Sequence, residues 1–256
     1  MPNPIQCGLK PRQGDTFQQK SVMAFLQARM GSTRLPGKVL MKIDGQSILE
    51  RAVRRLQAAR IVDAVAVLTT THGEDNAIAD EARRLGAYVH RGPDQDVLKR
   101  FQEAAEKYCP HIVIRATADN PLIDIGSIER IVRALISDCG DLCMESELPY
   151  GAATEAFTAM ALAIAHNSAG EDRYREHVTL FIKEHPDQFH VIYLHPPDAL
   201  RYPEIRLTVD TAEDFAFMDG LIRRLPERGH PIPLIDYLAS APNILTEREC
   251  KAFMDF

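Results

Sequence analysis

No apolar run in this chain approaches membrane-spanning length, and no charged start with an apolar core marks a secretory leader. Basic residues are not in broad excess either, since 30 Lys and Arg against 36 Asp and Glu leave a formal net charge of −6. A nucleic-acid binder needs a wide basic face, so no nucleic-acid partner is expected; a nucleotide site needs only a local cluster of cations. Cysteine is scarce and odd in number: Cys7, Cys109, Cys139, Cys143 and Cys250. Only Cys139 and Cys143 lie close together, without further metal ligands nearby, so buried reduced thiols are expected. A cytoplasmic enzyme without a membrane partner fits these absences. Neither G-x-x-x-x-G-K-[ST] nor G-x-G-x-x-G occurs, and no repeat or low-complexity segment interrupts the 256 residues. That length suffices for one large α/β domain or two small ones.

What the chain does carry is a cationic loop, Gln27-Ala28-Arg29-Met30-Gly31-Ser32-Thr33-Arg34-Leu35-Pro36-Gly37-Lys38. It follows the apolar run Val22–Leu26, which reads as the first buried strand of an α/β sheet. Three cations, Arg29, Arg34 and Lys38, share a loop whose glycines let backbone N–H groups approach a ligand. The carboxyl end of a strand is where an open α/β sheet binds its ligand. The charge suits a triphosphate; a solvated basic turn is the plainer alternative.

Along the rest of the chain, strands and helices alternate. Residues 1–20 lack a hydrophobic period and are expected to form a flexible extension, leaving one domain over 21–256. A turn at 42–46 leads to Ser47, a helix N-cap with Glu50 at the capping-box position. Strands are expected at 64–69, 88–90, 112–114, 141–144, 189–194 and 205–209. Helices are expected at 74–85 (closed by Gly86), 96–108, 128–136, 175–184, 215–225, 234–239 and 247–253. Residues 145–154 lose all period and read as an irregular insertion. The alternation calls for a mostly parallel sheet with right-handed crossovers, an α/β fold.

Two acids emerge at strand ends. Asp119 lies in Arg115-Ala116-Thr117-Ala118-Asp119-Asn120-Pro121-Leu122, and Asp210 in Arg206-Leu207-Thr208-Val209-Asp210-Thr211. Each is placed to hold a metal over the loop of the first strand, or merely to cap the turn or helix that follows. Arg91 leaves the third strand on the same edge, and Arg100 either makes an internal ion pair or reaches phosphate. His177, beside Arg175 and Glu176, is either structural or part of an acceptor site.

The loop and these segments resemble the cytidylyltransferases that make CMP-activated sugar acids, from about Val22 to about Leu225. The superfamily includes CMP-KDO synthetase and acylneuraminate cytidylyltransferase, and the match is nearest the spore-coat polysaccharide F type. The resemblance rests on A-R-x-G-S-x-R-L-P-G-K, R-G-x-x-x-D-V-L-x-R, R-x-T-x-D-x-P-L, R-E-H-V-T and R-x-T-V-D-T. It implies a Rossmann-like nucleotidyltransferase fold of three layers, α/β/α. It also implies a CTP-dependent transfer onto a sugar acid or similar anionic acceptor for surface polysaccharide, with pyrophosphate released. Asp119 and Asp210 become Mg²⁺ ligands and, with Arg29 and Lys38, the catalytic set. Ala28, Arg29, Gly31, Ser32, Arg34, Lys38, Arg91 and Thr117 are expected to bind the nucleotide, and Glu155, Arg175 and His177 the acceptor. The relatives' G-x-D-x-E-x-F element reads Gly151-Ala152-Ala153-Thr154-Glu155-Ala156-Phe157 here, so the expected Asp is Ala153. Relatives form homodimers through this region, and Glu145–Phe157 is expected to be a dimer contact or else a lid.

Mg²⁺ and the three cations neutralise the polyanion, and no catalytic His or Cys nucleophile is expected. The competing readings are a nucleotide-sugar-dependent glycosyltransferase, which usually shows Asp-x-Asp, and a non-catalytic nucleotide-binding protein.

Overall fold

Val22-Met23-Ala24-Phe25-Leu26 is apolar at every position, as a strand must be when helices cover both faces of its sheet. The computed structural model describes residues 20–227 and 229–240, and the apolar run lies in β1 (Val22–Gln27), an interior strand of the sheet. A small hairpin follows, β2 (Lys42–Ile43) and β3 (Gln46–Ser47), turning through Asp44 and Gly45 at positive φ. The sheet continues with β4 (Ala64–Thr70), β5 (Tyr88–Gly92), β6 (Ile112–Thr117) and β7 (Leu142–Glu145). It ends with β8 (Glu155–Thr158) and β9 (Val191–Leu194).

The 7-stranded order is β5-β4-β1-β6-β8-β7-β9, and β8 alone runs against the others. Winding proceeds outward from β1 to β5, then returns to place β6 on the other flank of β1. The carboxyl ends of β1 and β6, in register at Gln27 and Thr117, therefore form the switch point where such sheets bind ligands.

Alternate residues of β1 feed two separate cores. Ala24 and Leu26 pack with α1 (Ile48–Ala58), α2 (Asn76–Arg84) and α4 (Ile125–Ser137). Met23 and Phe25 pack with α3 (Val97–Tyr108), α5 (Ala159–Ser168), α6 (Asp172–Glu176) and α7 (Leu180–Glu184). This is the expected α/β/α sandwich. A third core joins Ile43, Leu148 and Leu207 to α8 (Ala212–Ile222) and α9 (Leu234–Ser240). Among the described residues no helix is long and apolar enough to cross a membrane.

Several expectations need correction. Ser47 caps α1, its hydroxyl accepting from Glu50 N at 3.0 Å, but the Glu50 carboxylate binds Arg54 and Arg84 at 2.8 Å. The single helix at 175–184 is two short ones, broken at His177–Thr179. β8 and α5 are additional to the elements expected from the sequence. Residues 205–209 are extended yet join no sheet; they bond to the loop at Tyr150 (2.7 Å from Tyr150 N to Ile205 O) and to Asp119 O. Leu148 and Ala152 are buried in the third core and Phe157 in the second, so the segment through Glu145–Phe157 is covered by its own chain. Of its large apolar side chains only Tyr150, 61% exposed, stays outside, and the apolar groups in this segment do not by themselves call for a partner. Cys143 is buried, but Cys139 is exposed and Cys109 is disulfide-bonded, so buried reduced thiols hold only for Cys143 among the described residues. The flexible extension (apart from Lys20) and the helix at 247–253 lie outside the described residues.

Candidate active site

The cationic loop is shaped largely by its own backbone. Ser32 N and Gly37 N both donate to Met30 O, at 2.8 and 3.1 Å, folding the loop back on itself. Gly37 sits at φ 69°, where a side chain is strained, and a Cβ there would meet Met30 Cε at 3.2 Å. An external clamp holds its backbone at Met30. Asp75, buried between β4 and α2, accepts Met30 N at 2.8 Å with one oxygen and Thr70 N at 3.1 Å with the other. Burial pushes the Asp75 carboxyl up, but hydrogen bonds from the Thr70 hydroxyl and from Met30 hold it below the ordinary range. Sequence reasoning missed Asp75 because its partner is a distant backbone N–H.

Asp119 reaches the site because β6 keeps its ladder one residue further: Ala118 N donates to Gln27 O at 3.0 Å. Val209 N then donates to Asp119 O at 2.9 Å, tying the two acid-bearing segments directly together. Gly151, at φ 94°, lets the 149–152 loop close on this junction; a Cβ there would stand 2.9 Å from Thr208 N. Between the acids lies Lys38, nearly buried, whose Nζ stands 3.0 Å from Asp119 Oδ2 and 2.7 Å from Asp210 Oδ1. Arg34 approaches Asp210 at 3.3 Å, and Arg206 also pairs with it. Burial alone would raise the Asp210 carboxyl, but the Lys38 hydrogen bond and charge, then Arg34 and Arg206, hold it low. Asp210 N donates to Asp214, the N3 residue of the Thr211 capping box, so Asp210 precedes the α8 cap rather than forming it. Arg206, the first letter of R-x-T-V-D-T, is the site cation the sequence motif contained but did not single out.

A cavity of about 680 Å³ opens over this pair at the switch point. Ala28, Arg29, Gly31, Ser32, Arg34, Lys38, Thr117, Asp119, His177 and Asp210 all line it, as do Gln27, Asp94, Arg100 and Arg115. Three expected residues do not line it. Arg91 spends its guanidinium on Thr70 O, His72 O and Asn76, bracing the β4–α2 connection. Arg175 is bound to Asp96, at 2.7 Å, and to His166 O. Glu155 lies behind the wall with Arg115 at 2.9 Å, Thr179 at 2.9 Å and Lys183. Neither direct nucleotide contact by Arg91 nor direct acceptor contact by Arg175 or Glu155 is offered by this geometry. Each steadies a neighbour instead.

The donor set fits a hard divalent cation. One ammonium already meets both carboxylates, which marks a point where a single cation can touch Asp119 and Asp210 together. Among the described residues no group of three or more metal-ligating side chains stands together. Mg²⁺ needs no such cage, because it takes one or two carboxylates and completes its shell with phosphate oxygens and water.

The sequence model of the family described as cytidylyltransferase matches residues 23–238. An uncharacterized protein of Methanocaldococcus jannaschii, MJ1063, is 39% identical over 87% of this chain and 92% of its own length. The spore coat polysaccharide biosynthesis protein SpsF of Bacillus subtilis is 34% identical over 89% of this chain and 98% of its own. Among solved structures, a cytidylyltransferase from Leptospira borgpetersenii serovar Hardjo-bovis superposes with a TM-score of 0.81 at 28% identity, covering 88% and 97% of the two chains.

Proposed function

The chain belongs to the cytidylyltransferase family, and from that premise we propose that it transfers a cytidylyl group from CTP to an anionic sugar acid, releasing pyrophosphate. The product would serve surface-polysaccharide synthesis, the process named for the Bacillus relative. Mg²⁺, a cytoplasmic setting and a homodimeric state belong to the same reading.

The observation that carries it is Lys38 held between Asp119 and Asp210 beneath a loop of exposed cations. A triphosphate entering the cavity brings an anion that competes with the carboxylates for Lys38, Arg34 and Arg29. Lys38 and Arg34 then neutralise the charge that grows on the departing pyrophosphate. Asp119 and Asp210, released from the ammonium, are the residues that would hold Mg²⁺, whose chemistry there is to screen the phosphates. The acceptor oxygen attacks the α-phosphorus in line, forming one P–O bond as the bond to pyrophosphate breaks. A carboxylate-bearing acceptor arrives already charged, and its attacking hydroxyl passes its proton to solvent or to a neighbouring carboxylate. His177, exposed at the cavity rim, is available to orient the acceptor.

Pyrophosphate release tests this directly, with CTP, Mg²⁺ and a panel of 2-keto-3-deoxy and N-acyl sugar acids. Release that depends on both CTP and one sugar acid is expected. Turnover of a nucleotide-sugar without pyrophosphate would replace the reading with glycosyl transfer.

A further inference from the structure

Arg100 stands out from every other arginine in the cavity wall. It projects from the first turn of α3, is 3% exposed, and lines the cavity. Its Nε is buried without a partner, and no hydrogen bond or ion pair joins its guanidinium to any described residue. Desolvating a guanidinium without partners is costly, so its donors call for acceptors from a ligand. Among the described residues the internal ion pair expected as one alternative for Arg100 is absent.

The surroundings decide what kind of ligand. Burial pushes the Arg100 guanidinium below its ordinary range; Asp94 counters this, Arg29 adds to it, and Asp75 counters it again. A phosphate or carboxylate placed on Arg100 would face two carboxylates against a single further cation. A neutral group with lone pairs meets no such repulsion. None of these neighbours is Lys38, Asp119 or Asp210, and the one cation among them, Arg29, is itself paired with Asp94 at 3.1 Å, so Arg100 is left for a part of the ligand away from Lys38 and the two acids. A second orphan group faces the same cavity: Gln27 Oε1 at the end of β1 is buried without a donor.

We propose that Arg100 reads the nucleobase, donating to the ring nitrogen and the exocyclic oxygen of cytosine while Gln27 Oε1 accepts from its exocyclic amine. The inference rests on the cytidylyltransferase reading and deepens it by assigning base choice to named side chains. Arg has five donors and no acceptor, so it cannot satisfy the N–H that uracil carries where cytosine has a lone pair. Gln27 can turn its amide to suit either base. Arg100 is therefore the discriminating residue.

Calorimetry with CTP, UTP and inorganic tripolyphosphate, each with Mg²⁺, tests the assignment on the full chain. Wild type is expected to prefer CTP to UTP by tenfold or more. Arg100→Met should lose about 10- to 100-fold in CTP affinity, keep its tripolyphosphate affinity, and lose the preference. Its melting temperature should not fall, because an apolar side chain of similar size relieves a buried unpaired charge. Arg100→Lys keeps the charge without the planar fork and should also bind tripolyphosphate normally while losing the preference. Equal losses for CTP and tripolyphosphate, an unchanged CTP/UTP ratio, or a large drop in melting temperature in both variants would overturn the proposal. A wild type that binds tripolyphosphate but prefers no base would do the same. One that binds no triphosphate at all overturns the cytidylyltransferase reading itself.

Discussion

Two carboxylate–cation clusters, one in the cavity and one behind its wall, are put to opposite uses in this fold. In the cavity, Asp119 and Asp210 share Lys38 with Arg34 and Arg206 around them, and their side chains are 28% and 15% exposed. Behind the wall, Glu155 has both oxygens taken, one by Lys183 and the other by Arg115 and Thr179. The open cluster holds its charges in pairs that an incoming polyanion can rearrange. The closed one has nothing left to offer a ligand and instead fixes Arg115 in the cavity wall. Charge alone does not mark a site; access and unused lone pairs do.

Substitutions should separate the two. The largest effect is expected in the open cluster, where Asp119→Asn and Asp210→Asn each lower pyrophosphate release by about a thousandfold, near 4 kcal/mol in activation free energy. Their denaturant midpoints should move little, and near-wild-type turnover in both would dissolve the contrast. Glu155→Ala should do the reverse. Removing one partner from a buried ion pair costs about 3 kcal/mol of stability, read as a lowered urea midpoint, while the cavity acids stay intact. Next comes Lys38→Ala, which should weaken CTP binding by on the order of tenfold more than CMP binding, since its partners are the outer phosphates. Equal losses for the two nucleotides would show that the loop has simply lost its shape.

The smallest effect concerns acid. Burial raises the Glu155 carboxyl, but Arg115 and Lys183 outweigh it and the group sits below its ordinary range. A depressed carboxyl contributes stability above its unfolded pKa, near 4, and loses it as pH falls through the folded value. Glu155→Gln should therefore flatten the decline of stability below about pH 4 relative to wild type. A parallel decline in both proteins would mean that Glu155 carries no such share.

The elements that were legible in the sequence are those whose cause is local. β1 announces itself by an unbroken apolar run, and α1 and α3 by Ser47 and Asp96, whose side chains accept from Glu50 N and Lys99 N. The cation loop and both acids were legible because their motifs sit at strand ends. β8 was not, because Glu-Ala-Phe-Thr is short and begins with a charge whose partners are Arg115 and Lys183. α5 hid in an alanine-rich stretch with no polar face to set a period. Residues 205–209 alternate like a strand and are extended like one, yet their hydrogen bonds go to a loop. Asp75 gave no such sign, and for Arg91 and Arg100 the residue was legible without its contacts. Each is defined by what it does or does not touch across the fold.

The lone antiparallel strand has a consequence for how the chain comes together in time. β1, β4, β5 and β6 all lie within residues 22–117, so four parallel strands can pair as soon as that stretch has been synthesised. The outer edge of β6 then waits, with Ile112, Val113 and Ile114 exposing unpaired backbone groups, because its partner is β8 and not the earlier-made β7. Until Glu155–Thr158 leaves the ribosome and slides between them, β7 and later β9 have no route into the sheet. A fragment that stops short of Thr158 keeps that edge open, and an open apolar edge pairs with another copy of itself. Four residues thus close the edge that the first four parallel strands leave open.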